Sequence, residues 1–268
     1  MPHVRLKEAD IYYTLDGPVH GPALVLSNSL GTTSSVWAQQ IPCFSQSFRV
    51  LRYDTRGHGL SGTSPEPFDF FDLAGDVVGL LNHLEIAKAH FCGISMGGLV
   101  GLAMALRDPT RVDRLVLSNT AARIGSAEGW RSRAESVAHS GLEALSSNLI
   151  ERWLSPAYRH QEPGMTQVLV DMLSRTDQAG YIACCSVLGD ADFGDQLPHI
   201  QAKALVISGT EDLATTSQQG RDLAAGLLGG QFLEIDAAHI ANWERPHQFS
   251  QIVSGYLLGH RNEAYCLD

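Results

Sequence analysis

The stretch that most constrains the fold runs from Ala89 to Gly98 and places Ser95 between Gly93 and Gly97. Apolar residues lead up to this serine, and helix formers with apolar spacing follow it over Leu99–Leu106. Because glycine accepts tight backbone conformations without steric cost, the pattern predicts a strand that turns sharply into a helix. Such a turn holds the serine in a strained conformation. The plainer interpretation is a tight strand–helix turn with an incidental serine.

The rest of the chain repeats this alternation of strand and helix. Short apolar stretches indicate buried strands, and apolar residues every three to four positions indicate an amphipathic helix over Phe71–Leu84. A further helical stretch is predicted around Val36–Phe44. Strands joined by helical crossovers form a mostly parallel sheet with helices on both faces, which predicts an α/β fold. Besides the strand that ends at Ser95, the predicted strands are His3–Lys7, Ile11–Leu15, Ala23–Ser27, Phe48–Tyr53, Val112–Ser118, Ala204–Gly209 and Gln231–Ile235.

The segment from about residue 121 to residue 195 interrupts the alternation. It is rich in helix formers and polar residues, contains Trp130 and Trp153, and includes no convincing buried strand. We therefore predict a helical cap at 121–195, inserted into an α/β core formed by residues 1–120 and 196–268. The last residues, Arg261–Asp268, are predicted to be a polar tail.

Composition excludes several classes of partner. The formal net charge of −10 opposes nonspecific binding to nucleic acid or to an anionic membrane. A run of about 18 apolar residues, which a membrane span requires, does not occur in the sequence. The five scattered cysteines and the lack of a visible secretory signal predict reduced thiols in the cytoplasm. A redox pair at Cys184 and Cys185 is the alternative for those two thiols.

Two later strand ends supply partners for Ser95. A serine hydroxyl is a weak nucleophile that needs a base, and the base needs a group to orient it. One predicted strand runs into Asp212 and another into His239, and the carboxyl ends of parallel strands meet at one edge of the sheet. We therefore predict a triad in which His239 is the base and Asp212 orients it. Three alternatives remain: Asp212 caps the next helix, Glu211 is the acid, or His239 is one of eleven histidines without a role.

The glycine-rich loop from Asp54 to Gly62 could be mistaken for a phosphate-binding loop. It lacks both the Gly-Lys-Ser/Thr ending of a Walker loop and the spacing of a dinucleotide-binding loop. A structural turn braced by Asp54 and Arg56 is the better interpretation. His58 is a candidate base in this loop, but no acidic partner for it is evident in the sequence.

The order Ser95, Asp212, His239 resembles that of the α/β-hydrolase superfamily. The resemblance covers nearly the whole chain, and within the superfamily Ser27–Gly31 and Cys92–Gly98 are similar to the 3-oxoadipate enol-lactonase family. It implies a serine hydrolase that converts 3-oxoadipate enol-lactone to 3-oxoadipate through an acyl-enzyme. That reaction belongs to aromatic-compound catabolism in the β-ketoadipate pathway and needs neither a metal nor an organic cofactor. The sequence contains no His-Glu-x-x-His or Cys-x-x-Cys metal motif.

The same resemblance implies groups that contact the substrate. It assigns one oxyanion donor to the backbone N–H of Leu30, and the N–H of Met96, at the start of the predicted helix, supplies the other. A lactone with a free carboxylate needs a local cation, for which Arg133 beside Trp130 is the first candidate. Arg133 could instead be a solvated helix residue, and Trp130 and Trp153 could line the pocket or pack the cap on the core.

Other functions fit the same scaffold. A carboxylesterase, a cofactor-free perhydrolase and a carbon–carbon bond hydrolase share the predicted triad, and each acts on a small molecule. A dehalogenase or an epoxide hydrolase is disfavoured, because those relatives resemble this fold but carry aspartate at the nucleophile position. From a different class, a ligand-binding receptor built on a hydrolase scaffold keeps the triad but turns over poorly.

Overall fold

The computed structural model describes residues 2–6, 9–63 and 67–259, so Lys7, Cys266 and the predicted tail Arg261–Asp268 lie outside the described residues. Eight strands form one sheet: β1 (His3–Arg5), β2 (Asp10–Asp16), β3 (Ala23–Ser27), β4 (Arg49–Tyr53), β5 (Ala89–Ile94), β6 (Val112–Ser118), β7 (Lys203–Gly209) and β8 (Gln231–Ile235). The helices are α1 (Ile41–Phe44), α2 (Phe70–His83), α3 (Met96–Arg107), α4 (Ala127–Trp153), α5 (Pro156–Gln161), α6 (Pro163–Ser174), α7 (Gln178–Asp190), α8 (Ser217–Gly226), α9 (Ala241–Glu244) and α10 (Pro246–Leu258). Three short 3-10 helices lie at Ser34–Gln40, Pro109–Arg111 and Gly194–His199.

The sheet has the strand order β1-β2-β4-β3-β5-β6-β7-β8. Strands β3 to β8 pair in parallel, and only β1 and β2 add antiparallel pairs at one edge. Every residue of β3 and β5 is buried. Because neighbouring side chains of a strand point to opposite faces, this burial shows that both faces of the central sheet are covered. The predicted, mostly parallel α/β fold is confirmed.

The helical stretch predicted around Val36–Phe44 is confirmed, but it consists of two short helices. A 3-10 helix spans Ser34–Gln40, and the short α1 follows it. Thr33 caps the first helix through its side chain, while Pro42 lies at the start of the second. Proline has no N–H to donate to the preceding turn, and its ring crowds the carbonyl four residues earlier, so this position favours the first turn of a new helix over the interior of a continuous one.

Helices α4 to α7 connect β6 to β7, and the described part of this connection contains no strand. The long α4 is broken at Gly141, whose φ of 76° and ψ of 163° are not helical. Glycine reaches this positive φ without the steric penalty that other residues meet. The helical content matches the prediction for 121–195, and the division into a core and a cap stays a prediction.

Within the described residues, no helix has the length and apolar character needed to cross a membrane.

The thiols of Cys43, Cys92, Cys184 and Cys185 are free. Burial raises the pKa of both Cys184 and Cys185 to about 12, so neither is a thiolate at neutral pH. Because the thiolate is the reactive form, this burial argues against the redox-pair interpretation.

Candidate active site

Ser95 lies at the sharp turn between β5 and α3. Its φ of 54° and ψ of −116° place it in the positive-φ region that side chains rarely adopt, as the turn pattern predicted. A Cβ on Gly93 would collide with the backbone of Gly97, and one on Gly97 would collide with the carbonyl of Ser27. Both glycines are therefore needed for close backbone approach. The Ser95 backbone is fixed by its N–H, which donates to the Ser118 carbonyl over 2.9 Å.

Asp212 and His239 meet beyond the ends of β7 and β8. The Nδ1 atom of the buried His239 ring lies 2.8 Å from Oδ2 of Asp212. Asp212 does not cap α8, because Thr216 caps that helix in a capping box with Gln219. Glu211, the rival acid, is exposed to solvent. Of the two carboxylates, Asp212 is thus the one that holds the imidazole.

The Asp212 carboxylate is fixed by several further donors. Its Oδ1 accepts backbone N–H bonds from Ala214 at 2.7 Å and Thr215 at 2.9 Å, and the Thr215 hydroxyl donates to Oδ2 at 2.8 Å. Burial by itself raises the pKa of this carboxyl. The charge and hydrogen bond of His239, with the hydrogen bonds from Thr215 and Asn119, outweigh burial and lower the pKa to about 2. Asp212 is therefore ionised throughout the neutral range.

Asn119, which follows β6, was missed by the sequence reasoning. Its side-chain amide donates to Oδ2 of Asp212 over 3.0 Å and to the Ala238 carbonyl over 3.1 Å. The residue adopts a φ of 48°, another conformation that costs free energy outside glycine. Asn119 thus joins the strand end that carries the acid to the loop that carries the histidine.

Ser95 and His239 line the same cavity of about 260 Å³. No hydrogen bond joins their side chains in the part of the chain that the structure describes. Hydrogen bonds between nucleophile and base are often long without substrate and tighten in the complex. The cavity is lined by Ser29, Leu30, Ser95, Ile124, Gly125, Ser126, Gly129, Trp130, Arg133, Arg152, Trp153, Ala214 and His239.

The backbone N–H groups of Met96 and Leu30 remain the predicted oxyanion donors. Met96 is the first residue of α3, where a helix leaves its N–H without an intrahelical acceptor. Leu30 lines the cavity, and its N–H takes part in none of the backbone hydrogen bonds found among the described residues. The contact of Gly97 with the backbone of Ser27 and Asn28 brings the start of α3 against the chain that leads into Leu30.

The same cavity is lined by the predicted substrate-binding residues Trp130, Arg133 and Trp153. The guanidinium carbon of Arg133 lies 4.8 Å from the centre of the Trp130 ring, a cation–π contact, and the indole N–H of Trp130 donates to the Ile124 carbonyl over 2.5 Å. Trp153 both lines the cavity and packs close to Gly31. The Trp153 side chain therefore both lines the cavity and packs against the core, the two roles that were alternatives for it.

Arg152 is a second guanidinium on the cavity wall, and the sequence reasoning did not select it. It donates to the Leu213 carbonyl over 3.3 Å. No carboxylate among the described residues lies within ion-pair distance of Arg133 or Arg152. Several other arginines, though not all of them, form ion pairs with protein carboxylates: Arg52, Arg56, Arg107, Arg123, Arg159, Arg221 and Arg245. The cavity therefore presents two cations with no acidic partner in a chain of net negative charge.

The glycine-rich loop after β4 has the structural role that its sequence predicted. The Asp54 carboxylate accepts the backbone N–H of Ser34 at 2.7 Å and that of Leu60 at 2.9 Å. Arg56 forms a buried bidentate pair with Asp76, with both N–O distances at 2.7 Å.

In the described part of the chain, no group of three or more His, Cys, Asp or Glu side chains is arranged to hold a metal ion.

Comparison with known proteins gives consistent matches. The profile of a family described as the alpha/beta hydrolase fold matches residues 22–152. A 3-oxoadipate enol-lactonase 2 of Acinetobacter baylyi is 38% identical over 251 residues, covering 94% of this chain and 94% of that protein. The crystal structure of the enol-lactonase from Burkholderia xenovorans LB400 superposes with a TM-score of 0.94 at 45% identity, covering 96% of this chain and 100% of that one. A hydrolase from Pseudomonas aeruginosa PA01 has a TM-score of 0.92 at 36% identity, over 96% and 98% of the two chains.

Proposed function

Since the chain belongs to the α/β-hydrolase family, as its resemblance predicted, we propose that it opens a small enol-lactone through an acyl-enzyme on Ser95. The substrate we propose is 3-oxoadipate enol-lactone, an intermediate of aromatic-compound catabolism, and the product is 3-oxoadipate. The observation that carries the proposal is the cavity itself. It joins Ser95 and the His239–Asp212 pair to two guanidinium groups that lack protein carboxylates.

In the first step, Nε2 of His239 removes the proton of the Ser95 hydroxyl while the oxygen attacks the lactone carbonyl. Asp212 accepts a hydrogen bond from Nδ1 of His239, which fixes the tautomer and stabilises the imidazolium. The carbonyl oxygen becomes an oxyanion, which the N–H groups of Leu30 and Met96 stabilise. Losing one such donor costs about 2.7–4 kcal/mol of transition-state stabilisation.

Collapse of the tetrahedral intermediate breaks the ring C–O bond, and the electron pair leaves with the enolate oxygen. An enolate is a better leaving group than a simple alkoxide, so this step demands less of the general acid. The His239 imidazolium gives its proton to the enolate oxygen, which leaves an enol and a neutral imidazole. The opened chain stays attached to Ser95 as an ester. His239 then activates a water molecule that hydrolyses this ester, and the enol becomes the ketone of the product.

The free carboxylate of the substrate is proposed to bind Arg133, with Trp130 and Trp153 against the ring. Stacking on Trp130 holds the guanidinium in place before substrate arrives, which reduces the entropy lost on binding. Arg152 adds a second positive charge on the cavity wall. The acidic net charge of the chain does not oppose this binding, because distant surface charges are screened at physiological salt.

The test is a comparison of substrates with one purified protein. The carboxymethyl enol-lactone is followed by loss of its ultraviolet absorbance, and the product is identified as 3-oxoadipate by chromatography against a standard. A neutral lactone, p-nitrophenyl acetate and peroxide-dependent peracid formation are assayed beside it, with Ser95→Ala as the background control. We expect the carboxylated lactone to give the highest kcat/KM. Preferred turnover of open esters or peroxide would assign an esterase or a perhydrolase instead, and no turnover would favour a ligand-binding receptor.

A further inference from the structure

His58 lies buried beneath the turn formed by residues 28–31, which we call the oxyanion turn. Its Nε2 atom lies 2.9 Å from the backbone nitrogen of Gly31, and its Nδ1 atom lies 3.3 Å from the carbonyl oxygen of Arg56. A backbone N–H can only donate and a carbonyl can only accept. The ring is therefore the neutral tautomer, with the proton on Nδ1 and an unprotonated Nε2.

This tautomer agrees with the electrostatic surroundings of the ring. Burial lowers the pKa of His58 below its usual value. The hydrogen bond to Arg56 and the carboxylates of Asp54 and Asp177 act in the opposite direction but do not outweigh burial. A protonated ring would also turn an N–H toward the N–H of Gly31, so the charged form loses the contact that the neutral form makes.

Four hydrogen bonds fix the oxyanion turn on either side of the Leu30 N–H. The Ser29 carbonyl, which belongs to the same peptide as this N–H, accepts from the backbone N–H of Thr32 at 3.1 Å and from its hydroxyl at 2.8 Å. The next peptide is held through the N–H of Gly31 by His58. The Gly31 carbonyl accepts from the Thr176 hydroxyl at 3.3 Å. The direction of the Leu30 N–H thus depends on the orientation of two neighbouring peptides.

The loop around His58 prevents the ring from following a moving turn. Gly57 adopts a φ of 74° and lies so close to Gly180 of α7 that a Cβ on either glycine would collide with the other. Arg56, which precedes Gly57, is anchored by its ion pair with Asp76. The imidazole is therefore a fixed acceptor to which the turn must conform.

We propose that His58 is a positioning residue that orients the oxyanion turn by accepting a hydrogen bond from the Gly31 N–H. It does not line the cavity and acts on the reaction only through Gly31 and Leu30. The inference rests on the proposed role of the Leu30 N–H as an oxyanion donor. It assigns a role to a histidine that a search for catalytic bases would otherwise leave unexplained.

The test compares His58→Gln with His58→Leu. The amide oxygen of glutamine reaches about as far as Nε2 and accepts the Gly31 N–H, whereas leucine fills similar space with no acceptor. For both p-nitrophenyl acetate and the enol-lactone, we expect His58→Leu to lower kcat about 10- to 100-fold with little change in KM, because the oxyanion donor is misaligned rather than removed. His58→Gln should recover most of this loss.

A spectroscopic readout separates positioning from a general structural effect. In an acyl-enzyme carrying a ¹³C-labelled carbonyl, weaker hydrogen bonding from Leu30 moves the carbonyl stretch of His58→Leu to higher wavenumber, while His58→Gln keeps the wild-type band. An unshifted band, an unchanged kcat in His58→Leu, or a loss confined to KM would overturn the proposal. Wild-type protein inactive on every ester and lactone would instead refute the proposed function.

A measurement on the unaltered protein covers the case in which His58→Leu does not fold. In ¹⁵N nuclear magnetic resonance spectra of the wild type, we expect the His58 ring to be neutral, with the proton on Nδ1, between pH 7 and pH 9. A proton on Nε2 anywhere in this range would overturn the proposal, because that nitrogen could then not accept from Gly31.

Discussion

Replacing Arg133 with alanine is the change that best separates carboxylate recognition from catalysis. The guanidinium lines the cavity, stacks on Trp130 at 4.8 Å and has no carboxylate within ion-pair distance among the described residues. A hydrogen bond to a charged group contributes about 1.5–3 kcal/mol. Because Arg133 is only half-buried, solvent screening favours the lower part of this range, about 1.5–2 kcal/mol. With RT of about 0.59 kcal/mol, Arg133→Ala should lower kcat/KM for the carboxylated lactone by about 10- to 30-fold.

The assay measures kcat/KM for two lactones that share a ring and differ only in the carboxymethyl group. We expect Arg133→Ala to lower kcat/KM by about 10- to 30-fold for the carboxylated lactone only. For the neutral lactone, its kcat/KM should stay within about 3-fold of the wild-type value. Arg131→Ala is the matched control, because Arg131 lies on the same helix, is exposed and does not line the cavity. Equal losses on both lactones, or no loss on either, would refute carboxylate binding by Arg133.

Arg152 extends this test to the second cation of the cavity. It is exposed and donates to the Leu213 carbonyl, so we expect Arg152→Ala alone to cost about 3-fold on the carboxylated lactone. If both arginines bind one carboxylate, the loss in the double variant will differ from the product of the single losses. Strictly multiplicative losses would indicate that the two guanidinium groups act independently.

The other predictions concern the reaction centre. Ser95→Ala and His239→Ala should each lower kcat by several orders of magnitude, to a small residual rate above the uncatalysed reaction. The double variant should keep the same residual rate, because the two side chains act as a unit, and a further multiplicative loss would contradict this. Asn119→Ala removes the amide that donates to Asp212 at 3.0 Å, so we expect a loss of about 1–3 kcal/mol in the free energy of unfolding and a lower kcat; an unchanged urea midpoint and kcat would refute the anchoring role. Because the pKa of Asp212 is lowered to about 2, its ionisation stabilises the fold fully above about pH 5, and this contribution is lost as pH falls toward 2. The difference in free energy of unfolding between wild type and Asp212→Asn should therefore shrink by about 2 kcal/mol between pH 5 and pH 2, whereas a constant difference would show that the native pKa is not lowered.

The parts of the site that the sequence predicted are those that local patterns determine. Gly93 and Gly97 flank Ser95 within one turn, and Asp212 and His239 follow strands whose ends must share an edge of a parallel sheet. Asn119 could not be selected in this way, because its role depends on the neighbouring β7, where the Ile207 carbonyl accepts its backbone N–H. Its positive φ leaves no signal in the sequence beyond the tolerance of asparagine for that region.

Arg152 and His58 were missed for a related reason. Arg152 lies at the end of a long polar helix that is interrupted at Gly141. The packing of this helix determines which of its residues line the cavity, and the sequence of a polar helix does not reveal that packing. His58 was examined as a base and lacked an acidic partner, but its ring accepts a backbone N–H 27 residues earlier in the chain. Contacts between a side chain and a distant backbone group do not appear in residue spacing.

The covalent step on Ser95 is tested most directly by rapid quenching of the wild-type protein with the enol-lactone, followed by mass spectrometry of the intact chain and its peptides. Opening a lactone expels no fragment, so the account predicts a transient adduct heavier than the protein by the full mass of the lactone and located on the peptide that contains Ser95. Rapid turnover without any such adduct, or an adduct on another residue, would contradict it.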